Sequence, residues 1–185
     1  LHKWDTSSVT NMSNMFSGAG SGATTFNLNL SNWDTSKVTN MMYMFDGCRS
    51  LTSLNVNSFD TSKVTAMYGM FRNCRSLTSL DLSNFNTSKV TEMGYMFYYC
   101  SNLVSVNLTS FNTSIVGKMD SMFEGCRSLT SLDLTSFDTA SLMSIARMFY
   151  NCSKIQFINV SDKWVLKSNC STNNTFFNCG VKSVT

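Results

Sequence analysis

Phe59-Asp60-Thr61-Ser62-Lys63-Val64-Thr65-Ala66-Met67-Tyr68-Gly69-Met70-Phe71-Arg72-Asn73-Cys74-Arg75-Ser76-Leu77-Thr78-Ser79-Leu80-Asp81-Leu82 is one copy of a pattern that recurs along the chain. The aromatic that opens it returns at Trp4, Trp33, Phe85, Phe111 and Phe137, with a step of 26 residues from Trp33 onward. The second phenylalanine keeps the same step through Phe45, Phe97, Phe123 and Phe149, and a cysteine follows each at Cys48, Cys100, Cys126 and Cys152. A fixed period of this size marks a solenoid, in which each unit buries its apolar face only against its neighbours.

Two hydrophobic periods share each unit. Leu77, Leu80 and Leu82 alternate as a short strand with one buried face, as do Leu51/Leu54/Val56, Leu103/Val106/Leu108, Leu129/Leu132/Leu134 and Ile155/Ile158/Val160. Val90, Met93, Met96 and Phe97 follow a spacing that predicts a short helix, N-capped by the preceding Asp/Asn-Thr-Ser. The expected fold is therefore an α/β repeat: a leucine-rich-repeat-like right-handed solenoid, with parallel strands on one face and short helices on the other. It fills residues 1–185 as a single domain, with units near 4–32, 33–58, 59–84, 85–110, 111–136 and 137–163 and a divergent last repeat, 164–185. The interval from Trp4 to Trp33 is longer, and Gly18 to Gly22 reads as a flexible insertion.

Composition narrows the function. Charged residues are 14% of the chain, and Ser, Thr and Asn take their place on the exposed faces. A net charge of +3 is too small to imply nucleic-acid binding by itself. No apolar run is long enough to span a membrane, and no leader is visible. The chain starts partway through a repeat, which points to a fragment of a longer protein. The single histidine, His2, leaves a Ser-His or Cys-His pair almost excluded, and no Cys-x-x-Cys or phosphate loop occurs. No enzyme activity, metal or cofactor is expected.

The cysteine and methionine columns (Met12, Met41, Met67, Met93 and Met119 among the latter) are assigned to the core. Coil neighbours about 4.8 Å apart exceed the usual disulfide Cβ separation of about 3.5–4.5 Å, so the column is expected buried and reduced. Cys170 and Cys179, off that column or at its end, are the pair best placed for a disulfide. Outward strand positions form a face of small polar groups. Its candidate ligand-binding residues are Asn29, Asn55, Asp81, Asn107, Asp133 and Asn159, with Phe157 breaking the polar pattern. Arg49, Arg75 and Arg127 form a candidate basic rim, with Lys37, Lys63 and Lys89 near it and Tyr43, Tyr68, Tyr95, Tyr98 and Tyr99 on the predicted helices or just after them.

Leu-x-x-Leu-x-Leu is similar to the strand of leucine-rich repeats. The longer pattern Met70-Phe71-x-x-Cys74-x-Ser76-Leu77 resembles the BspA-like leucine-rich-repeat surface proteins, and Phe59 to Met67 resembles the branch first catalogued as a domain of unknown function in mycoplasma lipoproteins. The resemblance implies a cell-surface or secreted protein for adhesion, binding a host or matrix protein or another cell-surface molecule. A structural spacer is the competing expectation. A glycan- or ice-binding face comes behind both.

Overall fold

The computed structural model describes residues 4–24 and 26–184. Among the described residues seven short strands appear in chain order: β1 (Phe26–Leu28), β2 (Leu51–Leu54), β3 (Ser79–Asp81), β4 (Ser105–Asn107), β5 (Ser131–Leu134), β6 (Phe157–Val160) and β7 (Ser183–Val184). All pairing is parallel: β1 with β2, β3 with β4, and β6 between β5 and β7. Equivalent residues pair, Leu80 with Val106 and Leu132 with Ile158, so the apolar positions stack into columns. A second line of parallel bridges runs through Asn11, Asn40, Ala66, Glu92, Lys118, Ser144 and Ser171. The chain is a solenoid whose coils are joined along two lines.

The predicted helices are absent: among the described residues there is no helix. Their place is taken by consecutive tight turns. Met44 N–H donates to Met41 C=O and Cys48 N–H to Phe45 C=O, and the third residue of each turn is left-handed, Tyr43 (φ 55°) and Gly47 (φ 70°). Such a residue ends a right-handed helix at once. The alternate amides of Met41, Tyr43, Phe45 and Gly47 donate to the carbonyls of Ala66, Tyr68, Met70 and Arg72 in the next coil. These amides are therefore satisfied between coils, where a helix would have satisfied them within the coil.

The segment expected to cap those helices does two other jobs. Asp34, Asp60, Asn86, Asn112 and Asp138 accept the amide two residues on, closing small side-chain turns. The buried threonines between them link coils. Thr61 Oγ1 donates to Asn86 C=O at 3.0 Å and accepts from Asn86 N–H at 2.8 Å, and Thr35, Thr87 and Thr113 repeat the pair of bonds.

The core is a set of ladders. Phe16, Phe45, Phe71, Phe97, Phe123, Phe149 and Phe176 stack ring on ring at 5.3–5.9 Å. The methionine column is fully buried beside them. Cys48, Cys74, Cys100, Cys126 and Cys152 are buried free thiols, each donating to the carbonyl of a phenylalanine in the preceding coil at 3.0–3.1 Å. Burial pushes the thiols up, Cys48 to about 11 and Cys100 to about 12, so they remain protonated and poor nucleophiles near neutral pH.

Cys170 and Cys179, the pair best placed for a disulfide, are both free thiols. Cys170 precedes Ser171 on the bridge line, while Cys179 closes the same turn with Phe176 that Cys152 closes with Phe149. The two cysteines thus belong to different columns of one coil. The glycine insertion is also more ordered than its composition suggests, since Ser21 and Ala23 close turns on Gly18 and Gly20. Gly20 is left-handed, and a Cβ there would lie 2.5 Å from the Phe26 ring, so only glycine fits.

Candidate functional site

The strand edge presents the polar face that the alternation predicts. Asn29, Asn55, Asp81, Asn107, Asp133 and Asn159 are all exposed, and Phe157 at the start of β6 is 50% exposed. Five of these side chains have a structural task. Oδ1 of Asn29, Asn55, Asp81, Asn107 and Asp133 accepts the backbone amide two residues on, turning the chain as it leaves the strand. The Ser83 amide and hydroxyl hold the Asp81 carboxyl below the usual carboxylate range. Arg49, Arg75 and Arg127 are exposed just past the second left-handed turn, and Arg127 lies 6.0 Å over the Tyr99 ring.

The opposite edge, built from the turns, is less uniform. Tyr43, Tyr68 and Tyr95 form a chain of ring contacts at 5.2–5.4 Å, continued by Tyr98 and Tyr99. Tyr43 lies over Gly69, where a Cβ would come within 2.6 Å of the ring, and Tyr68 over Gly94, where it would come within 3.0 Å. Arg72 places its guanidinium 5.6 Å over Tyr98.

Beside this aromatic strip an open groove of about 670 Å³ runs from Tyr68 to Arg147 along the solenoid axis. Gly94, Ser121 and Ala146 help to keep it hollow, Ile115 and Met143 give it an exposed apolar side, and Glu92, Lys118 and Asp120 supply charge. It lies where the repeat departs from its pattern. Lys37, Lys63 and Lys89 are followed in the same column by Ile115, and Thr39, Thr65 and Thr91 by Gly117 and then Met143.

Three of the disfavoured left-handed residues also border the groove. One left-handed column reads Asn14, Tyr43, Gly69, Tyr95, Ser121, Arg147 and Asn174. Asn and Gly adopt this conformation readily, whereas Tyr, Ser and Arg pay on the order of 1 kcal/mol each. Tyr95, Ser121 and Arg147 all line the groove.

Beneath its far end Glu124, 2% exposed, accepts from Arg147 Nε at 2.9 Å and Nη2 at 2.6 Å, and from Ser121 Oγ at 2.8 Å. Arg147 also stacks on Tyr150 with its guanidinium carbon 3.8 Å from the ring centre. On the floor Asp120 Oδ1 accepts from Ser144 Oγ and from the Ala146 amide. Among the described residues no cluster of His, Cys, Asp and Glu is arranged to hold a metal ion, and no helix is long and apolar enough to cross a membrane. His2, the single histidine, lies outside the described residues.

The tyrosines were visible in the sequence, but the groove they border was not among the candidate sites. The signal that could have found it was local loss of the repeat consensus at Ile115, Gly117 and Met143.

The chain belongs to the family described as Mycoplasma protein of unknown function, DUF285, which matches residues 1–80 and 66–184. No curated protein matches it.

Proposed function

We propose that this member of the mycoplasma family is a non-catalytic binding module, displayed at a cell surface, that adheres to a host or matrix protein or another cell-surface molecule. Its contact surface is the groove on the turn edge. The observation that carries this reading is the placing of Tyr95, Ser121 and Arg147, from three consecutive coils, in left-handed backbone around one groove, in a column that elsewhere holds Asn14, Tyr43, Gly69 and Asn174. Strain of this kind persists when a side chain is needed at that position, and it gathers at binding sites. The motif shared with BspA-like repeats supports the surface role, and with it kinship to right-handed leucine-rich-repeat solenoids. Exposed polar columns in register keep the strand face as the alternative contact surface.

The test is binding to a panel of immobilised extracellular-matrix proteins by three forms of the chain. Replacing Ile115 and Met143 together by Ser is expected to weaken binding about tenfold or more, as losing a central apolar contact does. Replacing Asn55, Asp81, Asn107 and Asp133 by Ala should leave it intact. The reverse pattern would move the site to the strand face. Binding unchanged in both variants, or absent from the parent chain, would favour a spacer and sink the proposal.

A further inference from the structure

We propose that the groove receives a cationic side chain, lysine or arginine, carried by an extended segment of the partner protein. This rests on the groove being the contact surface. The chain as a whole is basic, at +3, yet the charges left uncommitted in the groove are mainly acidic. Arg147 is neutralised by its two bonds to Glu124, and its guanidinium carbon lies over the Tyr150 ring. Lys118 is then the one basic group facing Glu92 and Asp120, and among the described residues neither acid is in an ion pair. Asp120 is fixed in place because both of its donors, the Ser144 hydroxyl and the Ala146 amide, bind Oδ1; Oδ2 is left to a ligand.

The rest of the lining matches the other parts of such a side chain. Lysine and arginine carry an apolar stem beneath a charged head, and the stem gains from apolar contact while the head stays polar. Ile115 and Met143, 48% and 56% exposed, offer that contact. Tyr68 and Tyr95, 5.2 Å apart, add aromatic rings, to which a cation is attracted. Three preceding coils place their own Lys37, Lys63 and Lys89 in the column that here holds Ile115. The coil where the groove opens thus replaces the lysine of this column by an apolar side chain and carries its groove cation at Lys118 instead. From Tyr68 to Arg147 the groove crosses three coil steps, about 14 Å at strand spacing, which accommodates a side chain with its flanking backbone.

Three small probes separate charge from shape: hexylammonium, hexanol and hexanoate, titrated into the whole chain with methyl-labelled Ile, Met and Ala and followed by NMR. Saturable shifts at Ile115, Met143 and Ala146 are expected, with hexylammonium binding about fivefold tighter than hexanol, and hexanoate weakest. Asp120→Asn keeps the Oδ1 acceptor and should remove most of the preference for hexylammonium without changing hexanol itself. Glu92→Gln, at an exposed position, should remove part of the preference. Equal affinity for hexylammonium and hexanol would overturn the cationic preference while leaving the groove as a binding surface. No methyl shift with any probe would remove both. A preference for hexanoate would reverse the sign of the proposal and overturn it.

Discussion

On the strand edge, Asn29, Asn55, Asp81, Asn107 and Asp133 alternate between amide and acid with no change of geometry. On the turn edge, Tyr43, Gly69, Tyr95, Ser121 and Arg147 hold one backbone conformation while size and charge change from coil to coil. The first edge chooses residues that suit its backbone. The second keeps residues that its backbone disfavours. Regularity in a solenoid is therefore evidence of a structural task, and a costly departure from it is evidence of something else.

This contrast presumes that the ladders shared by both edges carry the stability. The heaviest test is Phe97→Ala in the middle of the phenylalanine stack, where the ring is fully buried between Phe71 and Phe123. Urea denaturation should show a loss of about 3–5 kcal/mol from transfer and cavity together. Phe176→Ala, at the end of the stack and 43% exposed, should lose far less. Equal losses would mean that the coils do not share one core.

Next comes Thr87→Val, which keeps shape and removes the hydroxyl. Thr87 donates to Asn112 C=O at 2.9 Å and accepts from Asn112 N–H at 2.8 Å, and the residue is fully buried. Both backbone groups would lose a partner, at a cost of about 2 kcal/mol by denaturation. A neutral result would show that water reaches the ladder.

How much of this was legible follows from which forces act within one unit. The Leu77/Leu80/Leu82 alternation and the Cys and Met columns could be read because burial repeats with the period. The helix was misread because Val90, Met93, Met96 and Phe97 fall at a spacing that successive tight turns also produce. Gly47, Gly69, Asn73, Gly125 and Asn151 marked the left-handed positions, but Tyr43, Tyr95, Ser121 and Arg147 hid the column. Thr61 and its equivalents looked like caps because their true partners lie in the next coil. The groove depends on side-chain height across four coils, which no single repeat displays.

A comparable effect, confined to alkaline pH, belongs to the thiol ladder, and its sign follows from burial. Below the ordinary value of 9.0 both folded and unfolded chains keep the Cys100 proton, and its contribution is complete. Above that pH the unfolded chain releases the proton while the folded one holds it until about 12, so stability falls across this window. One thiol should account for about 1.4 kcal/mol per pH unit there. Cys100→Ala should flatten the fall by that amount in melts between pH 9 and 11. An unchanged slope would mean that this thiol already ionises in the folded chain.

The smallest expected effect decides what the strand edge is for. Asp81→Asn keeps the oxygen that accepts from the Ser83 amide, and Asn55 and Asn107 close the same turn in neighbouring coils. The melting temperature at neutral pH should therefore stay within error of the parent chain. Acid separates the two forms. The Asp81 carboxyl is held below its ordinary 3.8 by the Ser83 amide and hydroxyl, so its contribution is present above that pH and fades as pH falls below it. The asparagine form should lack that part of the acid dependence, since its amide does not titrate. If Asp81→Asn instead leaves melting unchanged at every pH and weakens partner binding, the carboxylate serves a ligand. The strand edge would then be the recognition surface, and the strained turn edge would need another explanation.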